Sequence, residues 1–337
     1  MNFFKRFKRK QKVATRENID FLDLLKPMLK SSIRVSYDEN YGGECPVGSS
    51  KIGGKPDLPP DFQWYYYRGK SYEETIASLP SGVHEYVNRE NIQYNSALPL
   101  SFIAQINCDE IHEYDKDKLL PSKGMLYFFY ELANMTWGDI GDKGGARVYY
   151  YSGSVSELQR TDFPSDLKEE FMLPEMPMTF YSKVELPDFE EFIEWHDEFS
   201  QHENVRSRIN YWNIYDETKT KLGIENEYDT EEDVKINKLL GYANLIQAGM
   251  LLECEVATKG IKLYSERGGY SDKITKEELR QYKEDCTKWQ LLFQLESIVT
   301  KKYEMLWGDV GRIYFYVNSN DLRKLNFENC WLILQCS

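Results

Sequence analysis

Apolar positions recur along the chain at two spacings. From Arg16 to Lys30, Ile19, Leu22, Leu25 and Leu29 stand at helical intervals and predict an N-terminal helix, with Pro27 near its end as a kink. Cys45 to Pro60 is rich in glycine and proline and predicts an extended loop. Asp61 to Asn95 reads as surface elaboration holding Trp64-Tyr65-Tyr66-Tyr67-Arg68 and a short helix near Tyr72 to Leu79. Strand patterns follow at Phe102–Ile106, Met125–Tyr130 and Arg147–Tyr151, with an acidic helix or turn at Asp109 to Lys118 between the first two. Phe163 to Asp233 returns to helical spacing: Phe189, Phe192, Ile193, His196 and Phe199 mark one helix, and Asn204 to Leu222 a second. Thr230 to Leu240 reads as a third, with Thr230 and Asp233 as an approximate capping box and Gly241 as its stop. Beyond it the pattern predicts a helix at Thr275–Glu284, strands at Trp289–Leu295, Arg312–Val317 and Trp331–Cys336, and a short helix at Asp321–Leu325.

Parts of this order occur twice. Met305 to Val317 reads MLWGDVGRIYFYV, and Met135 to Tyr151 reads MTWGDIGDKGGARVYYY, with five extra residues, Asp142 to Ala146, before its arginine. Lys51-Ile52-Gly53-Gly54 matches Lys238-Leu239-Leu240-Gly241, and Phe102 to Ile106 matches Leu291 to Leu295. Three landmarks in one order predict an α+β fold of two related antiparallel β-rich halves, an internal duplication, with inserted and peripheral helices sharing one core. The expected divisions are a basic tail over 1–15, an N-terminal half over 16–162, an acidic helical bridge over 163–233 and a C-terminal half over 234–337.

The same pieces carry a resemblance. SKIGGKPDLP from Ser50, PLSFIAQIN from Pro99, LLPSKGMLYFF from Leu119, LLGYANLIQ from Leu239, WQLLFQLES from Trp289 and the two WGD segments resemble the YwqG-like family of uncharacterised bacterial proteins. The resemblance runs from about Ser49 to the C-terminus and departs at Ala243, where proline is expected, and at Asn237, where histidine is frequent. It implies a fold and brings no established activity with it.

Composition narrows the classes. Of the 337 residues 41% are hydrophobic and 15% aromatic, enough for a substantial core. No window approaches about 18 uninterrupted apolar residues, so no membrane span is expected. The six cysteines are scattered without a CxxC pair, which favours reduced, buried thiols in a cytoplasm. Residues 1 to 12 hold six bases and no acid; with Phe3, Phe4 and Phe7 among them, this stretch reads as a solvated tail or as one resting on an anionic membrane surface, not as a secretory signal. Net charge is −13, and Glu185 to Asp233 alone holds 16 acids against 4 bases. Such a body repels polyanions, so general nucleic-acid binding is not expected, whereas a basic protein partner is attracted.

Candidate chemistry is sparse. Asp139 with Arg147 and Asp309 with Arg312 could meet at a junction of the halves, where each arginine fork would hold a small anion and Trp137 and Trp307 would wall the site. The competing reading makes Gly-Asp a tight turn whose aspartate bonds local amides and whose tryptophan anchors the core. The loop from Gly48 to Pro56 fails as a phosphate loop, with Ser49 in place of the first glycine and Pro56 in place of the hydroxyl. His84, His112, His196 and His202 have no metal-ligand spacing, and no serine or cysteine sits in a nucleophile signature. Two carboxylates converging from different halves, or stacking on Trp64 to Tyr67, stay open. No cofactor or metal is expected. The leading expectation is a non-catalytic cytoplasmic binding protein that captures a basic partner, as an immunity protein does. The alternative is a small-ligand-binding protein or enzyme with its site at the junction.

Overall fold

The computed structural model describes residues 20–69, 71, 73–74, 77, 97–195, 205–224, 235–265 and 269–337. The basic tail, His84, His196, His202, most of the expected helix at Tyr72 to Leu79 and the Thr230–Asp233 capping box lie outside the described residues.

Ten strands form one antiparallel sheet, nearly closed into a barrel. In chain order they are β1 Lys30–Tyr37, β2 Lys51–Ile52, β3 Ser101–Asn107, β4 Met125–Tyr130, β5 Ala146–Tyr151, β6 Met176–Glu185, β7 Asn237–Leu240, β8 Trp289–Glu296, β9 Arg312–Asn318 and β10 Trp331–Gln335. In space they run β10-β9-β8-β7-β1-β6-β2-β3-β4-β5. The long pair β1 and β6 forms the middle, with Lys30 opposite Glu185 and Tyr37 opposite Met178. On each side of it come a short strand and a three-stranded meander. Inward-facing residues fill the space between the two sides, and Phe128 of β4 meets Phe293 of β8 at 4.8 Å and Phe315 of β9 at 5.1 Å. Both sides thus share one core.

Several sequence expectations change here. The N-terminal helix is shorter, Phe21–Leu25 capped by Asp20, and the chain is already in β1 at Lys30. The stretch read as a helical bridge contains, after a single 3-10 turn at Glu169–Phe171, the ten-residue strand β6 before its helices at Phe189–Glu194 and Val205–Lys221. Asn237–Leu240 is a strand, not the end of a helix, because all four residues are buried between β1 and β8. Leu251–Ala257 forms a helix that the pattern did not announce. The two WGD turns are not counterparts either: the first joins β4 to β5, the second β8 to β9.

The other landmarks do correspond in detail. Lys51 of β2 stands opposite Gln105 of β3, and Lys238 of β7 opposite Gln294 of β8. Both long partners shift register at the same relative place, between Phe102 and Ala104 and between Leu291 and Phe293. Gln105 donates to the Ser49 carbonyl at 2.8 Å and to Asp57 at 2.7 Å while accepting from the Asp57 amide at 2.8 Å. Gln294 repeats this with the Ile236 carbonyl at 2.6 Å, Asn244 Oδ1 at 3.4 Å and the Asn244 amide at 2.9 Å. The hydroxyls of Tyr127 and Tyr314 donate to the carbonyls of Asp57 and Asn244. Each lysine is fully buried and finds a carboxylate, Lys51 at 2.8 Å from Glu175 and Lys238 at 2.9 Å from Glu185. A buried ammonium is tolerated only with such a partner and its remaining hydrogen bonds made. Burial alone would raise the Glu175 carboxyl, yet its bonds from Lys51 and the Cys45 amide hold it below its usual value.

A glycine faces each of these carboxylates. A Cβ on Gly241, whose φ is +72°, would stand 2.0 Å from Glu185 Oε1; Gly223 has almost the same φ, +73°, with open space around it. Gly223→Ala should therefore cost only about 1 kcal/mol of backbone strain, and Gly241→Ala more than about 2 kcal/mol because the carboxylate must also move. Urea unfolding of the two variants checks this, and equal losses would contradict it.

Candidate functional site

The open side of the barrel is bridged by the first WGD loop. Asp142 Oδ2 accepts from the backbone amides of Trp137, Gly138 and Asp139, each at 3.0 Å, and so folds the loop into a tight cup. Asp139, expected from the sequence to bond local amides, heads the turn Ile140–Asp142 and forms a reciprocal capping box with Asp142. The cup then meets β10: the Trp137 carbonyl accepts from the Leu334 amide at 3.2 Å, and the Gly138 carbonyl from Trp331 Nε1 at 2.9 Å. Gly138 is required for this approach, since a Cβ there would lie 2.4 Å from the Leu332 carbonyl oxygen.

Beside this seam opens a cleft of about 280 Å³. The first WGD loop and β5 contribute Lys143 and Arg147 to it, the β9–β10 connection contributes Asp321, Glu328 and Asn329, and Trp331 and Leu332 of β10 supply apolar surface. Glu255 and Lys259, from the helix Leu251–Ala257 and the turn after it, also line it but neutralise each other at 3.0 Å, and Glu255 is further held by Trp289 Nε1 at 2.9 Å. Arg147 differs. Among the described residues its guanidinium makes no hydrogen bond and no ion pair, and the ring of Tyr65 lies 6.0 Å away. A second cleft, of about 370 Å³, opens beside Lys238 and is lined by Arg34, Glu185, Asp188 and Trp212 among others. There Lys238 and Arg34 both donate to Glu185, so their charge is already committed.

The six residues expected at a shared site are distributed as follows. Arg147 lines the seam cleft. Trp137 is 45% exposed, whereas Trp307 is fully buried against Tyr130, with its Nε1 lacking a hydrogen-bond partner among the described residues. Asp139 and Asp309 are exposed. Arg312 donates to Glu296 at 2.9 Å and to the Asn244 carbonyl at 2.9 Å, which ties it to the Lys238 network. Asp321, Glu328 and Lys143 were passed over by sequence reading, because nothing in local spacing ties the β9–β10 connection to the first WGD loop.

Glu253, in the first turn of the cleft helix, has its carboxyl pushed up to about 7 by burial and by the charge of Asp139. The folded chain then keeps this proton to higher pH than the unfolded chain does. Stability should fall as pH rises from about 4.5 through about 7 and stay level in this respect above it, by at most about 3 kcal/mol. Glu253→Gln should remove that slope; thermal unfolding between pH 5 and pH 8 checks it, and parallel curves would refute it.

No helix among the described residues is long and apolar enough to cross a membrane. All six cysteines are free, five of them buried. No curated protein matches the chain. The family described as a domain of unknown function, DUF1963, matches residues 50–336, which takes in both sides of the sheet, both buried lysines and the seam, and the chain belongs to that family.

Proposed function

We propose that the protein is a non-catalytic binding protein whose ligand is a small molecule bearing an anionic group, held in the cleft at the seam of a doubled β unit. Arg147 carries this reading. An arginine in a partly desolvated position normally recruits a carboxylate, and its planar fork suits two-point recognition of a carboxylate or phosphate. Here a half-buried guanidinium lines a cleft with no partner among the described residues, in a chain of net charge −13. The apolar surface of Trp331 and Leu332 with a few convergent polar groups is the usual make-up of a small-ligand site. Doubling is supported by the matching offsets around Lys51 and Lys238, where the tyrosine contact spans 70 residues in both cases and the glutamine contact 48 and 50. Buried free thiols agree with a reducing cytoplasm. The acidic stretch read as a surface for a basic partner lies in good part outside the described residues and adds no support to this reading.

The test is a calorimetric titration with inorganic phosphate and with small carboxylates. At least one of them should bind, Arg147→Gln should weaken it tenfold or more, and Arg312→Gln should leave it within about twofold, since that arginine is engaged elsewhere. Unchanged binding in Arg147→Gln, or no binding by any of these anions, would overturn the reading.

A further inference from the structure

The seam cleft separates its charges by origin. Its uncommitted bases, Lys143 and Arg147, come from the first WGD loop and the start of β5; Asp142 of that loop accepts from the loop's own amides and Glu255 is paired with Lys259, which leaves Asp321 and Glu328 of the β9–β10 connection as the remaining acids. None of Lys143, Arg147, Asp321 and Glu328 forms an ion pair with another, although Lys259 and Glu255 in the same cleft close to 3.0 Å. Opposite charges that line one cleft attract each other, so something must hold them apart.

The backbone and its side-chain braces do that. Arg147 is fixed in a strand opposite Phe129. The amide of Glu328 donates to Asn326 Oδ1 at 3.2 Å, and the Asp321 carboxylate receives the side-chain amides of Asn326 at 3.5 Å and Asn329 at 3.3 Å. The cleft is thus preorganised with a cationic wall, an acidic wall and the apolar surface of Trp331 and Leu332.

We infer that the ligand of this cleft is a zwitterion of about amino-acid size, its anionic group on Arg147 and its ammonium between Asp321 and Glu328. The inference rests on the anion-binding reading above and deepens it. A ligand with both charges satisfies both walls at once, whereas a plain anion leaves the acidic wall repelling it.

Three probes on one carbon skeleton separate the two levels: leucine, 4-methylpentanoate, which lacks the ammonium, and 3-methylbutylamine, which lacks the carboxylate. Calorimetry on the full chain should show leucine binding at least tenfold more tightly than either. Glu328→Gln and Asp321→Asn together should bring leucine down to the level of 4-methylpentanoate without weakening the latter, and Arg147→Gln should abolish both. The acidic residues lie at the rim, and an unchanged thermal midpoint confirms that each variant is folded; Glu328→Gln alone should give a partial loss of leucine affinity. Equal binding of leucine and 4-methylpentanoate overturns the zwitterion while the anion reading stands. Tightest binding of the amine overturns both, whereas binding of none of the three overturns the zwitterion and leaves the anion reading to the phosphate titration above.

Discussion

A lysine ammonium taken out of water must meet a carboxylate, and this chain does so twice, at the root of each side of its sheet. Lys51 and Lys238 are both fully buried, and each is reached by a glutamate at one end of the central strand β6: Glu175 just before it, Glu185 as its last residue. Because the attraction repays desolvation only when every remaining donor and acceptor is satisfied, the surroundings are closely prescribed. Glycine must follow each lysine three residues on to admit the carboxylate, glutamine must stand opposite, and a tyrosine on the next strand must close the loop beyond. The two networks fix how each meander joins the central pair.

From there the curvature of the sheet brings its two ends toward each other without pairing them strand to strand. The first WGD loop spans the remaining distance, braced by Asp142 and docked on β10 through two backbone carbonyls. A seam bridged by a loop leaves side chains of both walls facing one space. Arg147 from one end and the braced carboxylates from the other meet there because of sheet closure, not because of any local motif.

That division also explains what could be read from the sequence. The meanders were legible because Phe102 to Ile106, Met125 to Tyr130 and Trp331 to Cys336 are dense apolar runs, and the match between Lys51 and Lys238 was legible as spacing. The central strands were not. In β1 the buried positions include Ser32 and Arg34, both bonded to Glu185, and in β7 they include Asn237 and Lys238; buried polar networks replace the apolar alternation by which a strand is recognised. The WGD segments misled in another way. The words are the same, but Trp307 is core and Trp137 is half exposed at the seam, so a shared turn sequence serves two different connections. Of the candidate site, Arg147 was legible as an arginine opening a strand, whereas Asp321 and Glu328 could be found only once the sheet had been curved.

Equilibrium urea unfolding of Glu185→Leu, compared with the triple variant Arg34→Met/Lys238→Met/Glu185→Leu, tests the central claim most directly. If the buried pairs organise the sheet, the single variant strands two buried cations, Lys238 and Arg34, and should lose about 3–5 kcal/mol, and the triple variant should regain a substantial part of it. A single variant within about 1 kcal/mol of the parent, or a triple variant worse than the single by the full sum of independent losses, would contradict the account.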